Sequence, residues 1–180
     1  SGVLLLFFAT FAAWAARGYF YSDEPVELAF PLRSGWYYVG QGGNSRIVNY
    51  HNVDQAQRYA LDIVALNRVG ARAHGLSPRE LDRYVIFDDP VHSPCDGRAE
   101  TVVDGLPDLV PPDHDRENLA GNHVVISCMG ALVLLAHMRQ GSISIRQDDE
   151  VRTGQTVGQV GNTGNTSEPH LHIHAVRAGS

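Results

Sequence analysis

Three histidines at alternate positions, His170-Leu-His172-Ile-His174, constrain this chain more than any other stretch. A β-strand turns successive side chains to opposite faces, so residues two apart share a face and all three imidazoles point the same way. A helix would rotate successive members of the set by about 200° and scatter them. The run in front, Gly161-Asn-Thr-Gly-Asn-Thr-Ser-Glu-Pro169, is built of turn formers. The histidines therefore sit on a strand that leaves a tight loop. Converging imidazoles on a strand suit a metal site, and a row of histidines on a wet strand face is the structural alternative.

A catalytic zinc takes three protein ligands from His, Asp, Glu or Cys and keeps one position open for water. The segment Asn49-Tyr-His51 to Val64 offers a histidine and a carboxylate. Tyr59, Leu61 and Ile63 alternate with Ala60, Asp62 and Val64, a pattern predicting a largely buried strand. Asp62 then stands among apolar neighbours, where a carboxylate is costly unless a cation or a donor meets it. A bond to the backbone or to an arginine would serve as well as a metal. His51 precedes this strand, and the polar residues 52–57 between them can turn the chain back. His137 ends the apolar run Val133-Leu-Leu-Ala and enters a polar, Gly-containing turn. Taken alone, such a histidine is an ordinary surface or core residue.

Together these segments resemble the lysostaphin/LytM-type zinc endopeptidases, which cut peptide cross-links in bacterial cell walls. That family carries a His…Asp pair, a His at the end of a middle strand and a His-x-His strand. The pattern is met here by His51…Asp62, Leu135-Ala-His137-Met and Pro169-His170-Leu-His172. Supporting segments are Ser93-Pro-Cys-Asp-Gly97, Gly121-Asn-His-Val-Val-Ile126, and Gly141-Ser-Ile-Ser-Ile followed by Val151 to Gly164. The resemblance spans residues 36–178. It departs from the commonest family spacing at one place, where His51 and Asp62 are eleven residues apart rather than closer together.

The resemblance implies that His51, Asp62 and His172 bind one Zn²⁺ and that His137 and His170 flank the open coordination position. Zinc lowers the pKa of a water toward neutrality and makes it a nucleophile for an amide carbonyl. No His-Glu-x-x-His helix is present to supply a glutamate base, so His137 and His170 would share the acid, base and oxyanion roles. His174 is expected to support the ligands or to pack, since a fourth ligand would close the site. His74, His92, His114 and His123 are expected at the surface.

The implied fold is mainly β: an antiparallel sheet with long loops, preceded by a short hydrophobic, helical N-terminal segment. Strands are predicted at Trp36–Val39, Arg46–Tyr50, Arg58–Leu66, Tyr84–Phe87, Arg98–Val103, His123–Cys128, Ala131–Met138, Thr156–Val160 and His170–Arg177, separated by Gly, Pro, Asn and Asp. Pro78–Arg83 forms one or two helical turns at most, and Asp104–Gly121 a long exposed loop. A hydrophobic segment at 1–16 and a connector at 17–35 precede the peptidase domain, 36–178. The uncharged run Val3–Ala16 is short for a membrane span, which needs about twenty residues. It suits a signal-peptide core ending in Ala13-Trp-Ala15, a membrane anchor through residues 3–16, or a buried helix. An exported protein of the cell envelope, periplasmic or extracellular, is the favoured outcome.

Composition removes several alternatives. The net charge of −6 and the lack of a basic patch argue against nucleic acid as a partner. Gly-punctuated strands like Thr153–Gly161 also occur in lipoyl and biotin carriers, but those need a lysine to modify and this chain has none. Cys95 and Cys128 are either two buried thiols or one disulfide. Peptidoglycan peptides are the implied substrate. A catalytically silent relative that binds wall or activates another hydrolase is the alternative.

Overall fold

Burial with a period of two along the chain builds one large sheet. The computed structural model describes residues 2–16 and 25–177. Residues 17–24 of the expected connector and residue 178 of the expected peptidase domain lie outside the described residues. After an N-terminal helix, α1 (Gly2–Ala16), the strands are β1 (Trp36–Gln41), β2 (Leu61–Leu66), β3 (Pro90–His92), β4 (Gly97–Val103), β5 (Asn122–Cys128), β6 (Ala131–Met138), β7 (Glu150–Val151), β8 (Thr156–Gln159) and β9 (Leu171–Arg177). Seven pair antiparallel in the order β1-β2-β9-β6-β5-β4-β7, and β3 pairs with β8 as a separate two-stranded sheet.

One face of the large sheet is aliphatic. Ile63 and Ala65 of β2, Leu171 and Ile173 of β9, Val133 and Leu135 of β6, and Val124 and Ile126 of β5 are buried there. Val91 of β3, Val157 of β8, and Ile86, Ile145 and Val160 from the loops complete the same core. Each Val, Leu or Ile side chain removed from water contributes about 1.5–3 kcal/mol. The aliphatic face fixes the register. A slip of one residue would turn it to the other side, so the core also decides which residues reach the opposite face. On that face stand Asp62, His172 and Ala136, in register across three neighbouring strands.

Two expected strands are turns. Arg46–Tyr50 is a turn closed by Val48 and Asn49 N–H bonds to the Ser45 carbonyl, with Ile47 and Val48 exposed. Tyr84–Phe87 has strand-like alternation, Tyr84 and Ile86 being buried. It forms a turn closed by Phe87 N–H on the Tyr84 carbonyl and makes only an isolated bridge to Ala73. Strand β2 begins at Leu61 instead of Arg58, and β9 at Leu171, which leaves His170 in the loop. The short strands β3 and β7 lacked a hydrophobic run long enough to announce them. Leu81–Arg83 is a single 3-10 turn and residues 104–121 form a loop without strand or helix, both as expected.

Two features frame the sheet. Residues 25–34 lie against β3, where Ala29 N–H bonds the Pro94 carbonyl and the Pro31 carbonyl accepts His92 N–H. Helix α1 is fifteen residues long, about 22 Å at 1.5 Å per residue, against a hydrocarbon core of about 30 Å. Among the described residues no helix is long and apolar enough to cross a membrane. Its Leu4, Leu5, Leu6, Phe7 and Phe8 are exposed.

Cys95 and Cys128 form a disulfide across a sequence separation of 33, with Cα atoms 5.9 Å apart and both residues buried. It ties the segment after β3 to the end of β5. Closing a loop of this length stabilises a domain by about 2–4 kcal/mol. The double variant Cys95→Ser/Cys128→Ser should therefore lose about that much in urea unfolding, and reductant should destabilise the wild type but not the variant.

Candidate metal centre

Strand pairing, not chance proximity, assembles the centre. Asp62 and His172 are direct cross-strand partners, and Ala136 is the partner of His172 on its other side. Nδ1 of His172 lies 2.8 Å from Asp62 Oδ1. Nε2 of His51 comes from above the sheet to 3.0 Å from Asp62 Oδ2. Among the described residues, His51, Asp62 and His172 form a group whose ligand atoms all lie within 4.8 Å of one another, and all three are buried.

His51 reaches the group because Asn49 holds its loop. Asn49 is fully buried. Its side-chain oxygen accepts His51 N–H, and its amide donates to the carbonyls of Gly43, Arg58 and Ala60. One amide thus ties the residues on both sides of the loop to the start of β2. The eleven-residue separation from Asp62 is bridged without loss of aim.

His137 arrives by a different device. Simple alternation on β6 would send it to the aliphatic face with Leu135. Instead its backbone is left-handed, φ +62°, and the β5–β6 register slips between Asn122 and Val124. The slip is a bulge that brings the imidazole to the metal face. Its Nδ1 lies 2.8 Å from the Thr163 carbonyl. Thr163 is itself located by close packing of Gly121 on Gly164 and Thr163. Both glycines have positive φ, and a Cβ at either would collide with the backbone of the other loop.

His170, in the loop before β9, points Nδ1 at the Glu168 carbonyl (2.9 Å) and at Thr166 Oγ1 (3.0 Å). Its Nε2 is 3.7 Å from Asp62 Oδ1. A carbonyl only accepts, so Nδ1 carries the proton in both His137 and His170 and each Nε2 presents a lone pair. The two rings are 4.7 Å apart, and that of His137 is 5.8 Å from the ring of His172. Of the histidines expected at the surface, His74 and His114 are exposed and His123 is half-buried. His92 is buried, contrary to expectation, because its Nδ1 faces the Pro31 carbonyl at 3.2 Å in the packed N-terminal segment.

The charges follow from burial and partners. Burial raises the Asp62 carboxyl, but the bonds from His172 and His51 and the charge on His170 outweigh it and hold the group well below its ordinary 3.8. Burial, followed by repulsion from His170 and His172, lowers His137 well below 6.5. Burial lowers His170 as well, against the opposing pull of Asp62. Both remain neutral at neutral pH. The ion pairs of Asp62 among the described residues are all with histidines. A buried carboxylate with two imidazoles and no arginine is a donor set of one oxygen and two nitrogens, which fits a tetrahedral Zn²⁺ with one position left over.

Tyr50 belongs to the site and carried no sequence signal beyond its place beside His51. Its ring lies 4.0 Å from that of His51 and its hydroxyl is 3.3 Å from Asp62 Oδ2. Burial and then the Asp62 charge push the hydroxyl up to about 12, so it stays a donor. Thr163 and Thr166, which orient the two outer histidines, were visible only as members of a turn. A cavity of about 440 Å³ is lined by Tyr38, Val64, Leu66, Arg72 and Tyr84 among others; Val64 follows Asp62 by two residues on β2 and so shares its face.

Comparison with known proteins places the chain. The sequence profile of Peptidase family M23 matches residues 85–180, more than half of the chain, and the chain belongs to that family. The match includes His137, His170 and His172 and begins after His51 and Asp62. The peptidoglycan DD-endopeptidase ShyA of Vibrio cholerae is 27% identical over 147 residues, which are 79% of this chain and 32% of that protein. The chain thus spans about a third of that relative. A chain of the SpoIIIAH–SpoIIQ complex has the same fold, with a TM-score of 0.53 and 16% identity over 84% of this chain and 93% of its own. Lysostaphin from Staphylococcus simulans aligns with a TM-score of 0.49 and 18% identity, covering 87% of this chain and 49% of its own.

The depressed Asp62 carboxyl sets a pH dependence. Its folded pKa lies below the unfolded one, so the stability it contributes is complete above the unfolded value and is lost as pH falls through the folded value. Hydrogen bonds to a buried charged group contribute about 1.5–3 kcal/mol. Metal-free wild type should lead Asp62→Asn by about that margin near neutrality. In urea titrations with chelator the lead should narrow as pH drops below 3.8, the ordinary carboxyl value.

Proposed function

We propose that this chain is a zinc-dependent endopeptidase that hydrolyses peptide bonds in peptidoglycan stem peptides or cross-links, with residues 36–178 as the catalytic unit. The observation that carries it is the buried Asp62 gripped by His51 and His172, with two neutral histidines presenting Nε2 beside it. Family membership supports a peptidase, and the relative from Vibrio cholerae supports peptidoglycan as the polymer.

His51, Asp62 and His172 would hold the ion, and His137 and His170 stand over the remaining side. Zinc bound there acidifies water and polarises the scissile carbonyl. One Nε2 of the outer pair accepts the proton of the attacking water, and the pair returns a proton to the departing amine nitrogen. The Nδ1 bonds to the Thr163 and Glu168 carbonyls hold each ring in the tautomer this requires. The Tyr50 hydroxyl, a donor at neutral pH, steadies Asp62. An extended peptide laid along the metal face would run over Val64 and Tyr38 into the adjacent cavity.

The setting is the cell envelope. A buried disulfide fits an oxidising compartment, and the exposed Leu and Phe side chains of α1 suit attachment to a bilayer surface.

The test is mass spectrometry of fragments released from purified peptidoglycan by zinc-loaded, chelated and His172→Ala protein. Cleaved peptides from the zinc-loaded wild type alone are expected, and they identify the bond. Zinc-loaded His137→Ala and His170→Ala should each retain the metal and lose about 10²–10⁴-fold in rate. Stoichiometric zinc with no released fragment would instead make this chain a wall-binding or activating module.

A further inference from the structure

His174 is the member of the alternating row that the peptidase chemistry leaves without a task. It stands two residues beyond His172 on β9 and on the same face, half-buried. Its Nδ1 lies 2.8 Å from Nε2 of His172, and the rings meet edge to face at 82° with centroids 5.1 Å apart. Pairing with β2 stops at Ile173, and the cross-strand neighbour on β6 is the apolar Leu134.

The geometry points to His174 as a positioning residue of the metal centre: its Nδ1 accepts the Nε2–H of His172 and so fixes His172 in the tautomer that offers Nδ1 to the cation. This rests on the metallopeptidase function proposed above. His172 has two ring nitrogens. Nδ1 faces Asp62 and the other ligand atoms, so a cation seated with them takes the Nδ1 lone pair. The ring proton must then reside on Nε2, where it needs an acceptor. His174 Nδ1 lies within hydrogen-bond distance of it.

A half-turn of the His172 ring would exchange both nitrogens for carbons and lose both contacts. The two contacts therefore hold the ring plane, and once a cation takes the Nδ1 lone pair the contact to His174 holds the remaining proton on Nε2. An imidazole acceptor does this without adding charge, where a carboxylate would lower the net charge of the centre. A fourth-ligand role does not fit, since His174 Nδ1 is aimed at the back of His172 and not at the space bounded by the three ligand atoms.

The experiment is zinc affinity of the full chain by competition with a chromogenic chelator, for wild type, His174→Phe and His174→Gln. Loss of an outer partner of a metal-binding histidine costs about 10–100-fold in affinity. His174→Phe, which fills the space without an acceptor, should show that loss while keeping one zinc per chain. His174→Gln, which restores an acceptor, should bind nearly as tightly as wild type. Nitrogen NMR of the zinc-loaded wild type should show the His172 proton on Nε2, a readout that does not depend on the variants folding. A folded His174→Phe with undiminished affinity, or a His172 proton on Nδ1, would overturn the assignment. Wild type that takes up no zinc at all would overturn the metallopeptidase function and the assignment together, an outcome separable from either of those.

Discussion

A carboxylate buried in a sheet with neither lysine nor arginine beside it destabilises the fold by several kcal/mol unless imidazoles or a cation offset its charge. The strand pairing places Asp62 in that position. It lies opposite His172 because Ile63 lies opposite Leu171 and Leu61 opposite Ile173, and those aliphatic pairs belong to the core or pack against it. Core and centre are therefore the two faces of one register. The hydrophobic face cannot shift to relieve the charge without undoing itself, and the charge draws its partners to a place already chosen for other reasons. His51, His170 and Tyr50 converge on the same two oxygens from loops.

The second constraint is steric. His137 would point into the core if β6 kept its alternation, and a non-glycine residue in the left-handed region is strained. The surroundings hold it there. Ala120 accepts its N–H, Gly161 donates to its carbonyl, and the Thr163 carbonyl takes its Nδ1. Asn122, fully buried, bonds both Leu106 and the Met138 carbonyl at the bulge. Gly121 and Gly164, in positive φ and without Cβ atoms, let the two loops touch backbone to backbone. The fold stores strain at one backbone position, His137, and spreads the compensation over the segments that bond it.

Much of this was legible in the sequence, for identifiable reasons. Strands β5 and β6 carry apolar runs and β9 alternates histidine with apolar residues, so the existence of all three, and the facing of the His-x-His motif, followed from the sequence. His51, Asp62, His137, His170 and His172 are brought together by the structure as the resemblance implied. The face on which His137 emerges was hidden, because a bulge is a property of two strands and the sequence displays one at a time. Tyr50, Thr163 and Thr166 were hidden since their contacts depend on loop paths and backbone carbonyls. The alternation of Tyr84 and Ile86 mimicked a strand because burial has a period of two in that turn as well. The pairing of Cys95 with Cys128 needed a distance between strand ends that no local pattern supplies.

The long separation between His51 and Asp62 does not prevent the two side chains from meeting in the buried cluster with His172. Lengthening a flexible loop adds only about 0.6 kcal/mol of closure entropy per doubling, so the thermodynamic obstacle is small. The real obstacle is aim, because ligand atoms must be held to fractions of an ångström while the added residues tend to roam. Asn49 removes that freedom next to His51 itself. Its four side-chain bonds pin the backbone of His51 to Gly43 on one side and to Arg58 and Ala60, at the threshold of β2, on the other. The residues between are then free to vary, and most of residues 52–59 are exposed. A side chain far from its partner in sequence is thereby held beside it, and the position that fixes His51 is the buried amide two residues before it.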